Sequence, residues 1–262
     1  MTKTIGEVFS TEKKVFIPFI TAGDPNLDIT EKLIYAMEKA GAGIIEIGIP
    51  FSDPLAEGLV IQAADARALQ GETKIDDIFA MVAKVRKNSQ IPLVFLTYIN
   101  PIYKYGREKF FTKCQKTQVS GIIVPDVPFE EKGIIAEYGE KYKVDLITLI
   151  APTSENRIKM LAKEAKGYIY LVSSLGVTGV REKITTDLST IVKEIREVTK
   201  IPTAVGFGIA TVEQATEMAK ISDGVIVGSE IVKIVAKFDK NCIQPVADYT
   251  KKMCETVTET IK

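Results

Sequence analysis

The sequence predicts a (β/α)₈ barrel, and three observations carry that prediction. The chain has 262 residues, the usual size of one such barrel. Short β-branched apolar runs alternate with amphipathic stretches, which is typical of parallel strands joined by crossover helices. Glycine-containing turns follow the last two runs, where barrels of this class commonly bind phosphate. We therefore expect one barrel domain over residues 1–262.

Eight runs are predicted to be strands because each is short, apolar and rich in β-branched residues. They are Val15–Ile20, Ile44–Gly48, Leu93–Thr97, Gly121–Val124, Asp145–Leu149, Tyr168–Ser173, Thr203–Val205 and Gly224–Val227. Eight β/α units favour a closed barrel over the architectural alternative, a doubly wound open sheet, because such a sheet usually has fewer strands.

The stretches between these runs have the spacing of helices. In Ile29–Ala40, Leu33 and Met37 lie along one face. A helix that begins near Ser229 is expected to continue through the C-terminal segment, and Thr2–Ser10 is expected to cap the bottom of the barrel as an extra helix. Similar helical patterns cover Ser154–Ala165, Asp187–Val198 and Val212–Ala219.

Composition narrows the classes of function. Basic and acidic residues number 34 each, and this balance argues against a nucleic-acid or anionic-membrane binder, which needs a basic surface. Histidine is absent, which excludes imidazole bases, Ser–His nucleophiles and His-ligated metals. Cys114, Cys242 and Cys254 have neither metal nor disulfide spacing, and no run of 18 apolar residues occurs. We expect a reducing, cytoplasmic location.

Glu46 is the first candidate for chemistry. It interrupts a run of isoleucines and shares a strand face with Ile44 and Gly48. If that face lines the barrel interior, the apolar setting raises the pKa of the carboxyl, which suits an acid/base near neutral pH. The alternative is a Glu that faces the helices and pairs with Lys or Arg. Asp53 and Glu57 follow in the next loop, where acids are commonly just solvated.

Two glycine turns are candidates for phosphate binding. Gly206 and Gly208 follow the seventh strand, and Gly228 and Ser229 follow the eighth. Glycine permits close backbone approach, and the N–H groups of a helix N-terminus attract anions. One such turn would more often be a simple tight turn, but the pair in this order favours a phosphate site.

Other candidates are weaker on the residues alone. The loop after the sixth strand contains Ser173, Gly176, Thr178 and Gly179, and it is either a lid or an ordinary connection. Tyr170 precedes this loop and could point inward, although buried tyrosines more often serve the core. Apolar residues near the strand ends could form a flat aromatic pocket or simply be core; they are Phe19, Ile61, Leu96, Tyr98 and Phe207.

At these positions the sequence closely resembles the tryptophan synthase α subunit family. The block Pro50-Phe-Ser-Asp-Pro54 after Glu46 is highly specific. The matching stretches follow the family order: Pro18–Pro25, Glu46–Ala56, Tyr98–Pro101, Pro125–Pro128, Ala151–Thr153, Gly176–Gly179, Gly206–Ile209 and Gly228–Ser229.

The resemblance implies a (β/α)₈ barrel that cleaves indole-3-glycerol phosphate to indole and glyceraldehyde 3-phosphate. This retro-aldol reaction uses no metal or organic cofactor, and it belongs to the last step of tryptophan biosynthesis. The implied partner is a β subunit, which carries pyridoxal phosphate, in an α₂β₂ assembly. Neither a nucleic acid nor a membrane is implied as a partner.

The resemblance also implies residue roles. Glu46 matches the acid/base and Tyr170 a tyrosine beside it. Asp53 and Asp126 match loop positions linked to the β subunit, and Thr178 a lid residue that orients the loop after the second strand. The implied phosphate cradle is Gly179, Gly206, Gly208, Gly228 and Ser229, and the implied indole pocket is Phe19, Ile61, Leu96, Tyr98 and Phe207.

One position departs from the family pattern. Where the family usually has Asp-Gly-Pro, this chain has Glu57-Gly58-Leu59. The family aspartate accepts a hydrogen bond from the indole N–H. The extra methylene of Glu57 moves the carboxylate, and a displacement of about 1 Å can cost about 10²-fold in rate. We expect Glu57 to keep the role, with a shifted loop or a lower intrinsic rate.

There are four alternatives to this function. A sugar-phosphate isomerase or epimerase would need histidine, which the chain lacks. A Schiff-base aldolase would need a buried lysine on a late strand, whereas Lys166 and Lys200 are expected in loops. The Glu57 departure leaves open a regulatory partner of the β subunit with little cleavage of its own, and a related lyase that works without a β subunit is a further alternative.

Overall fold

The computed structural model describes residues 2–152, 155–173 and 187–260. Eight parallel strands close into a barrel in chain order, and β1 pairs with β8 through the register Pro18↔Val227. The strands are β1 Val15–Thr21, β2 Ile45–Gly48, β3 Leu93–Leu96, β4 Gly121–Ile123, β5 Asp145–Ile150, β6 Lys166–Val172, β7 Thr203–Gly206 and β8 Gly224–Val227. Closure confirms the predicted (β/α)₈ barrel and excludes the open sheet.

Helices surround the strands. They are α1 Ile5–Thr11, α2 Leu27–Lys39, α3 Leu59–Gln70, α4 Ile75–Val85, α5 Ile99–Tyr105, α6 Arg107–Lys116, α7 Gly133–Tyr142, α8 Glu155–Lys163, α9 Leu188–Val198, α10 Val212–Ile221, α11 Ser229–Phe238 and α12 Ile243–Glu259. Short 3₁₀ turns occupy Phe129–Glu131 and Asp239–Asn241.

Two expectations from the sequence need correction. The helix that begins at Ser229 does not continue to the C-terminus: it ends at Phe238, because Asp239 adopts a left-handed φ of 48°, and α12 begins at Ile243. Lys166 is the first residue of β6 and not a loop residue. Its exposed amine pairs with Glu140 at 2.8 Å, so it remains unsuited to a buried Schiff base.

The N-terminal helix caps the bottom of the barrel as predicted. A capping box of Thr4 and Glu7 starts α1, with each side chain accepting a backbone N–H of the other residue. Ile5 and Val8 are buried in the same apolar cluster as Val15, at the amino end of β1. The amino end of the barrel is thereby covered, which leaves the carboxyl end for a site.

Strand alternation divides the core into two layers. In β2, Ile45 and Ile47 belong to the layer between strands and helices. Ile44 belongs to the interior layer, with Val94 of β3 and Tyr168 of β6. Each buried isoleucine contributes about 1.5–3 kcal/mol to folding. Because these isoleucines must face the helices, Glu46 between them must face the interior.

Candidate functional site

A cavity opens at the carboxyl ends of the strands. It brings together the two candidate acids, the strand tyrosine, three of the phosphate-turn residues and four of the five aromatic-pocket candidates. These residues are Glu46, Glu57, Tyr170, Gly208, Gly228, Ser229, Phe19, Ile61, Leu96 and Phe207. Tyr98 and Gly206 lie outside its lining.

Glu46 lies inside the barrel with only 1% of its surface exposed. The Tyr168 hydroxyl donates a hydrogen bond of 2.5 Å to its Oε1. Burial raises the pKa of Glu46 to about 8, and the bond from Tyr168 opposes part of that rise. The alternative of a Glu facing the helices is wrong. A carboxyl with this pKa keeps its proton at neutral pH and can donate it to a ligand.

Tyr168 was missed by sequence reasoning, which singled out Tyr170. The two residues are separated by one position on β6 and therefore share a face. Tyr170 lines the cavity and makes an edge contact with Phe207, with ring centroids 5.9 Å apart. The Tyr-x-Tyr spacing was the available signal, since whichever tyrosine faces inward brings the other with it.

Gly206 is adjacent to Tyr170 and does not line the cavity. A Cβ atom at Gly206 would lie 2.4 Å from the Tyr170 hydroxyl, which is shorter than any tolerable contact. Glycine at this position therefore makes room for the tyrosine ring. Its backbone also receives the N–H of Ser173 at 2.9 Å, which joins the ends of β6 and β7.

Glu57 is buried, with 3% of its surface exposed, unlike the solvated acids usual in loops. The Tyr98 hydroxyl donates a short hydrogen bond to its Oε2 and accepts the N–H of Ala56 at 2.9 Å. The Gln62 side chain donates to the Glu57 carbonyl at 2.7 Å. Burial, followed by the charge of Asp126, raises the pKa of Glu57 to about 7.

Tyr98 does not line the cavity, although the sequence grouped it with the indole pocket. It is 2% exposed, and its ring packs on Phe51 with centroids 5.3 Å apart. Asp126 is half-buried and accepts the N–H of Ile99 at 3.0 and 3.2 Å, which holds the first turn of α5. Tyr98 therefore supports the loop that bears Glu57, and Asp126 fixes the start of the helix that follows Tyr98.

The loop between β2 and α3, residues 49–58, presents a different surface at its tip. Asp53 is exposed, and the Ser52 hydroxyl bonds to it at 2.5 Å. Leu55 and Leu59 are 79% and 83% exposed. The loop thus directs one acid into the cavity and places large apolar side chains outside it.

The two glycine turns differ in whether a side chain caps the helix that follows. Thr211 and Gln214 form a capping box at α10, and the Gln214 side chain accepts N–H groups of Ala210 and Thr211. Gly228 precedes α11 without a side-chain cap. Phe207 and Gly208 both have left-handed φ values, of 75° and 77°. The uncapped first turn of α11 is the better place for an anion.

The predicted lid residues Thr178 and Gly179 lie outside the described residues, as does Gly176. Ser173, which precedes them, is buried, and its hydroxyl donates to the Phe207 carbonyl.

Comparisons with known proteins identify the family of the chain. A family model for the tryptophan synthase alpha chain matches residues 6–262. The alpha chain of Lacticaseibacillus casei is 47% identical over 249 residues, with 95% of this chain and 93% of the relative covered. That of Lactiplantibacillus plantarum is 48% identical over 241 residues, with 92% and 91% covered.

The chain belongs to the tryptophan synthase α chain family.

Solved structures of the family have the same fold. Tryptophan synthase of Mycobacterium tuberculosis matches with a TM-score of 0.88 and 27% identity, over 98% of this chain and 99% of the other. The alpha chain of Legionella pneumophila matches with a TM-score of 0.85 and 33% identity, over 97% and 96%. A tryptophan synthase complex of Pyrococcus furiosus matches with a TM-score of 0.83 and 31% identity, over 92% and 98%.

Family membership confirms the function that the resemblance implied. The chain is a carbon–carbon lyase of the tryptophan synthase α type, which cleaves indole-3-glycerol phosphate in tryptophan biosynthesis. Nothing in the comparisons favours the regulatory alternative. α chains of this family work with a β subunit.

Two further findings concern metal and membrane. Within the ranges given above, no cluster of three or more Asp, Glu, Cys or His residues could hold a metal ion. None of the helices in the same part of the chain is long and apolar enough to cross a membrane.

The three cysteines are buried free thiols, and burial raises the pKa of each.

Proposed function

We propose that this α chain performs the cleavage in the cavity at the carboxyl ends of the strands. Glu46 is the acid/base and Glu57 is the partner of the indole N–H. The observation that carries the proposal is the pair of buried carboxyl groups with raised pKa values that line one cavity together with the uncapped start of α11. Because the two acids have different environments, one can transfer the proton while the other stabilises the charge.

Glu46 alone can perform both proton transfers, because it donates one proton and then takes one back. Protonated Glu46 donates to C3 of the indole, and the ring becomes an indolenine with positive charge at its nitrogen. The Glu57 carboxylate accepts a hydrogen bond from the indole N–H and stabilises that charge. Glu46, now a carboxylate, takes the proton of the glycerol hydroxyl next to the ring. The carbon–carbon bond breaks, its electron pair returns to the ring, and indole and the aldehyde leave.

Substrate binding is divided between the two ends of the cavity. The phosphate is proposed to bind at Gly208, Gly228 and Ser229, with Gly206 shaping the same turn. Gly179, which the resemblance adds to this cradle, lies outside the described residues. Binding energy at the phosphate is remote from the breaking bond and holds the substrate in place for it. The indole would lie between Phe19, Ile61, Leu96 and Phe207, close to Tyr170, with Tyr98 acting through Glu57.

The partner and the location are proposed from the family. We infer an α₂β₂ assembly in the cytoplasm, in which indole passes to a β subunit that carries pyridoxal phosphate. We also infer that the α chain is a single domain over residues 1–262 and needs no cofactor of its own. Exposed Leu55 and Leu59 beside Asp53 support a protein contact at the tip of the β2–α3 loop. Asp126 and Thr178 would link that contact to the site.

Substitution Glu46→Gln tests the proposal, because glutamine keeps the size of the side chain and cannot exchange a proton. We expect single-turnover release of indole to fall by about 10³-fold, within the usual range for a lost acid/base. Glu12→Gln is the matched control, since Glu12 is a partly buried glutamate at the opposite end of the barrel. Normal indole release by Glu46→Gln would end the proposal, and measurement with and without the β subunit separates the regulatory alternative.

A further inference from the structure

Ser173 is a buried serine at the carboxyl end of the barrel that the mechanism above does not use. It directly follows β6, it is fully buried, and it does not line the cavity. Its N–H donates to the Gly206 carbonyl at 2.9 Å, and its hydroxyl donates to the Phe207 carbonyl. One residue therefore holds two successive carbonyls of the turn after β7, where the phosphate is proposed to bind.

The backbone of this turn, residues 206–208, has an unusual conformation. Phe207 has a φ of 75°, in the left-handed region that residues other than glycine rarely adopt. Successive carbonyls of an extended strand point to opposite sides, whereas those of Gly206 and Phe207 both point to Ser173. The strained conformation of Phe207 needs support from its surroundings, and the two hydrogen bonds from Ser173 supply it.

The Phe207 carbonyl determines the direction of the Gly208 N–H, because both groups belong to one planar trans peptide. In such a peptide the two groups point in opposite directions, so the Gly208 N–H is directed away from Ser173. Gly208 is buried and lines the cavity, and within the part of the chain that the structure describes its N–H has no hydrogen-bond partner. Buried backbone N–H groups without a partner are rare. This one therefore indicates an acceptor that arrives with the ligand.

The Ser173 hydroxyl prevents this peptide from turning over. Rotation of the Phe207–Gly208 peptide by half a turn would exchange the positions of its C=O and N–H groups. Gly208 would not oppose the rotation, because glycine adopts either sign of φ. The carbonyl oxygen of Phe207 would then point where the N–H points now, and its partial negative charge would repel a phosphate.

We propose that Ser173 is a positioning residue for the phosphate site, and that its hydroxyl keeps the Gly208 N–H directed at the phosphate. The inference rests on the phosphate site of the proposed function and adds the residue that sets the direction of one of its donors. Because Ser173 lies outside the lining of the cavity, its effect should be confined to the phosphate end of the substrate.

Ser173→Ala tests the inference, because it removes the hydroxyl and keeps the backbone bond to Gly206. We expect inorganic phosphate, used as a competitor of the substrate, to bind about tenfold more weakly, the usual effect of losing one hydrogen bond to a charged group. Binding of indole, which has no phosphate, should change by less than about twofold. KM for indole-3-glycerol phosphate should rise about tenfold with kcat within about twofold, because a contact common to the ground and transition states is lost.

Amide NMR reports the direction of the peptide itself. When inorganic phosphate is added to the natural chain, the Gly208 amide proton should move downfield, because it gains a hydrogen bond to an anion. In Ser173→Ala it should move much less, since a turned peptide presents its carbonyl instead.

Ser222→Ala is the matched control. Ser222 is as buried as Ser173, and its hydroxyl also donates to backbone carbonyls, those of Met218 and Gly224 at 2.8 Å. It lies at the amino end of β8, at the opposite end of the barrel from the cavity. Ser222→Ala should therefore lose stability while phosphate affinity and the response of the Gly208 amide stay normal.

Three results would overturn the inference: an unchanged phosphate affinity in Ser173→Ala, an equal loss of phosphate and indole affinity, or the same loss in Ser222→Ala. Where Ser173→Ala fails to fold, Ser173→Cys decides, because a thiol fills the space of the hydroxyl but is only a weak donor. We expect Ser173→Cys to weaken phosphate binding by at least about threefold, and normal binding would contradict the inference.

The proposed function can fail separately from this inference. A natural chain in which inorganic phosphate does not compete with the substrate would contradict the proposed phosphate site, and the inference with it. Competition that Ser173→Ala leaves unchanged would contradict the inference alone. Normal indole release by Glu46→Gln would end the proposed role of Glu46 whatever Ser173 does.

Discussion

The two carboxyl groups of the cavity are held in different ways. Glu46 is fixed by a strand: it pairs in register with Phe19 of β1 and Val94 of β3, and its direction follows from strand alternation. Glu57 is fixed by side chains, through Tyr98 and the turn that starts α3. The strand acid can be moved only by disturbing the barrel, whereas the loop acid depends on a few contacts that single substitutions can remove.

The pKa values of the two carboxyl groups differ in the way that their proposed roles require. Burial raises the pKa of Glu46 to about 8 and that of Glu57 to about 7. Between these values Glu46 is mainly protonated and Glu57 mainly ionised, as the proposed chemistry requires. Activity should therefore rise through about pH 7 and fall through about pH 8, which gives a bell-shaped profile with a narrow top.

Glu57→Gln should give the largest effect on the loop side of this comparison. Glutamine cannot supply the negative charge that stabilises the indolenine nitrogen, so we expect kcat to fall by about 10²-fold, as for loss of one oriented electrostatic group. The acid limb of the pH profile should disappear, because it reports ionisation of Glu57. Single-turnover indole release from pH 5 to pH 10 measures both effects. A normal acid limb in this variant would assign that limb to another group.

The sequence could predict features placed by a strand better than features placed by loop contacts. The sequence limited Glu46 to two orientations, inside the barrel or towards the helices, and the structure decides for the interior because Ile45 and Ile47 face the helices. The eight strands and the cap by α1 were likewise predictable, since each depends on local apolar spacing. These features need no knowledge of distant residues.

The contacts that hold Glu57 were not predictable in this way. Tyr98 lies 41 residues from Glu57 in sequence, and their hydrogen bond depends on how two β/α units pack. Tyr98 was expected to contact indole and instead supports Glu57 from outside the cavity. Tyr168 was missed because alternation places it with Tyr170 but gives no indication of which hydroxyl reaches Glu46.

Tyr98→Phe tests how far the loop acid depends on this support. Loss of a donor to the ionised form should raise the pKa of Glu57 further, so the acid limb should move to higher pH. At pH 7 we expect kcat to fall by about fivefold, because a rise of about one unit from a pKa of about 7 lowers the ionised fraction of Glu57 from about one half to about one tenth, with partial recovery towards pH 8. Tyr103→Phe, with an exposed ring, is the control. An unmoved acid limb would show that Tyr98 does not set the ionisation of Glu57.

Glu57→Asp should give the smallest effect and bears on the departure from the family pattern. In this chain Tyr98 holds the longer side chain at its carboxyl end, and Ala56 beside it bonds to the same hydroxyl. The loop is therefore built around glutamate, and the shorter aspartate would lose Tyr98 while keeping its charge. We expect single-turnover cleavage to slow by about threefold, less than the roughly 10²-fold cost of an uncorrected 1 Å displacement, because the loop can adjust. Faster cleavage by Glu57→Asp would mean instead that the natural carboxylate lies too far from its backbone for the reaction, and that the extra methylene lowers the intrinsic rate.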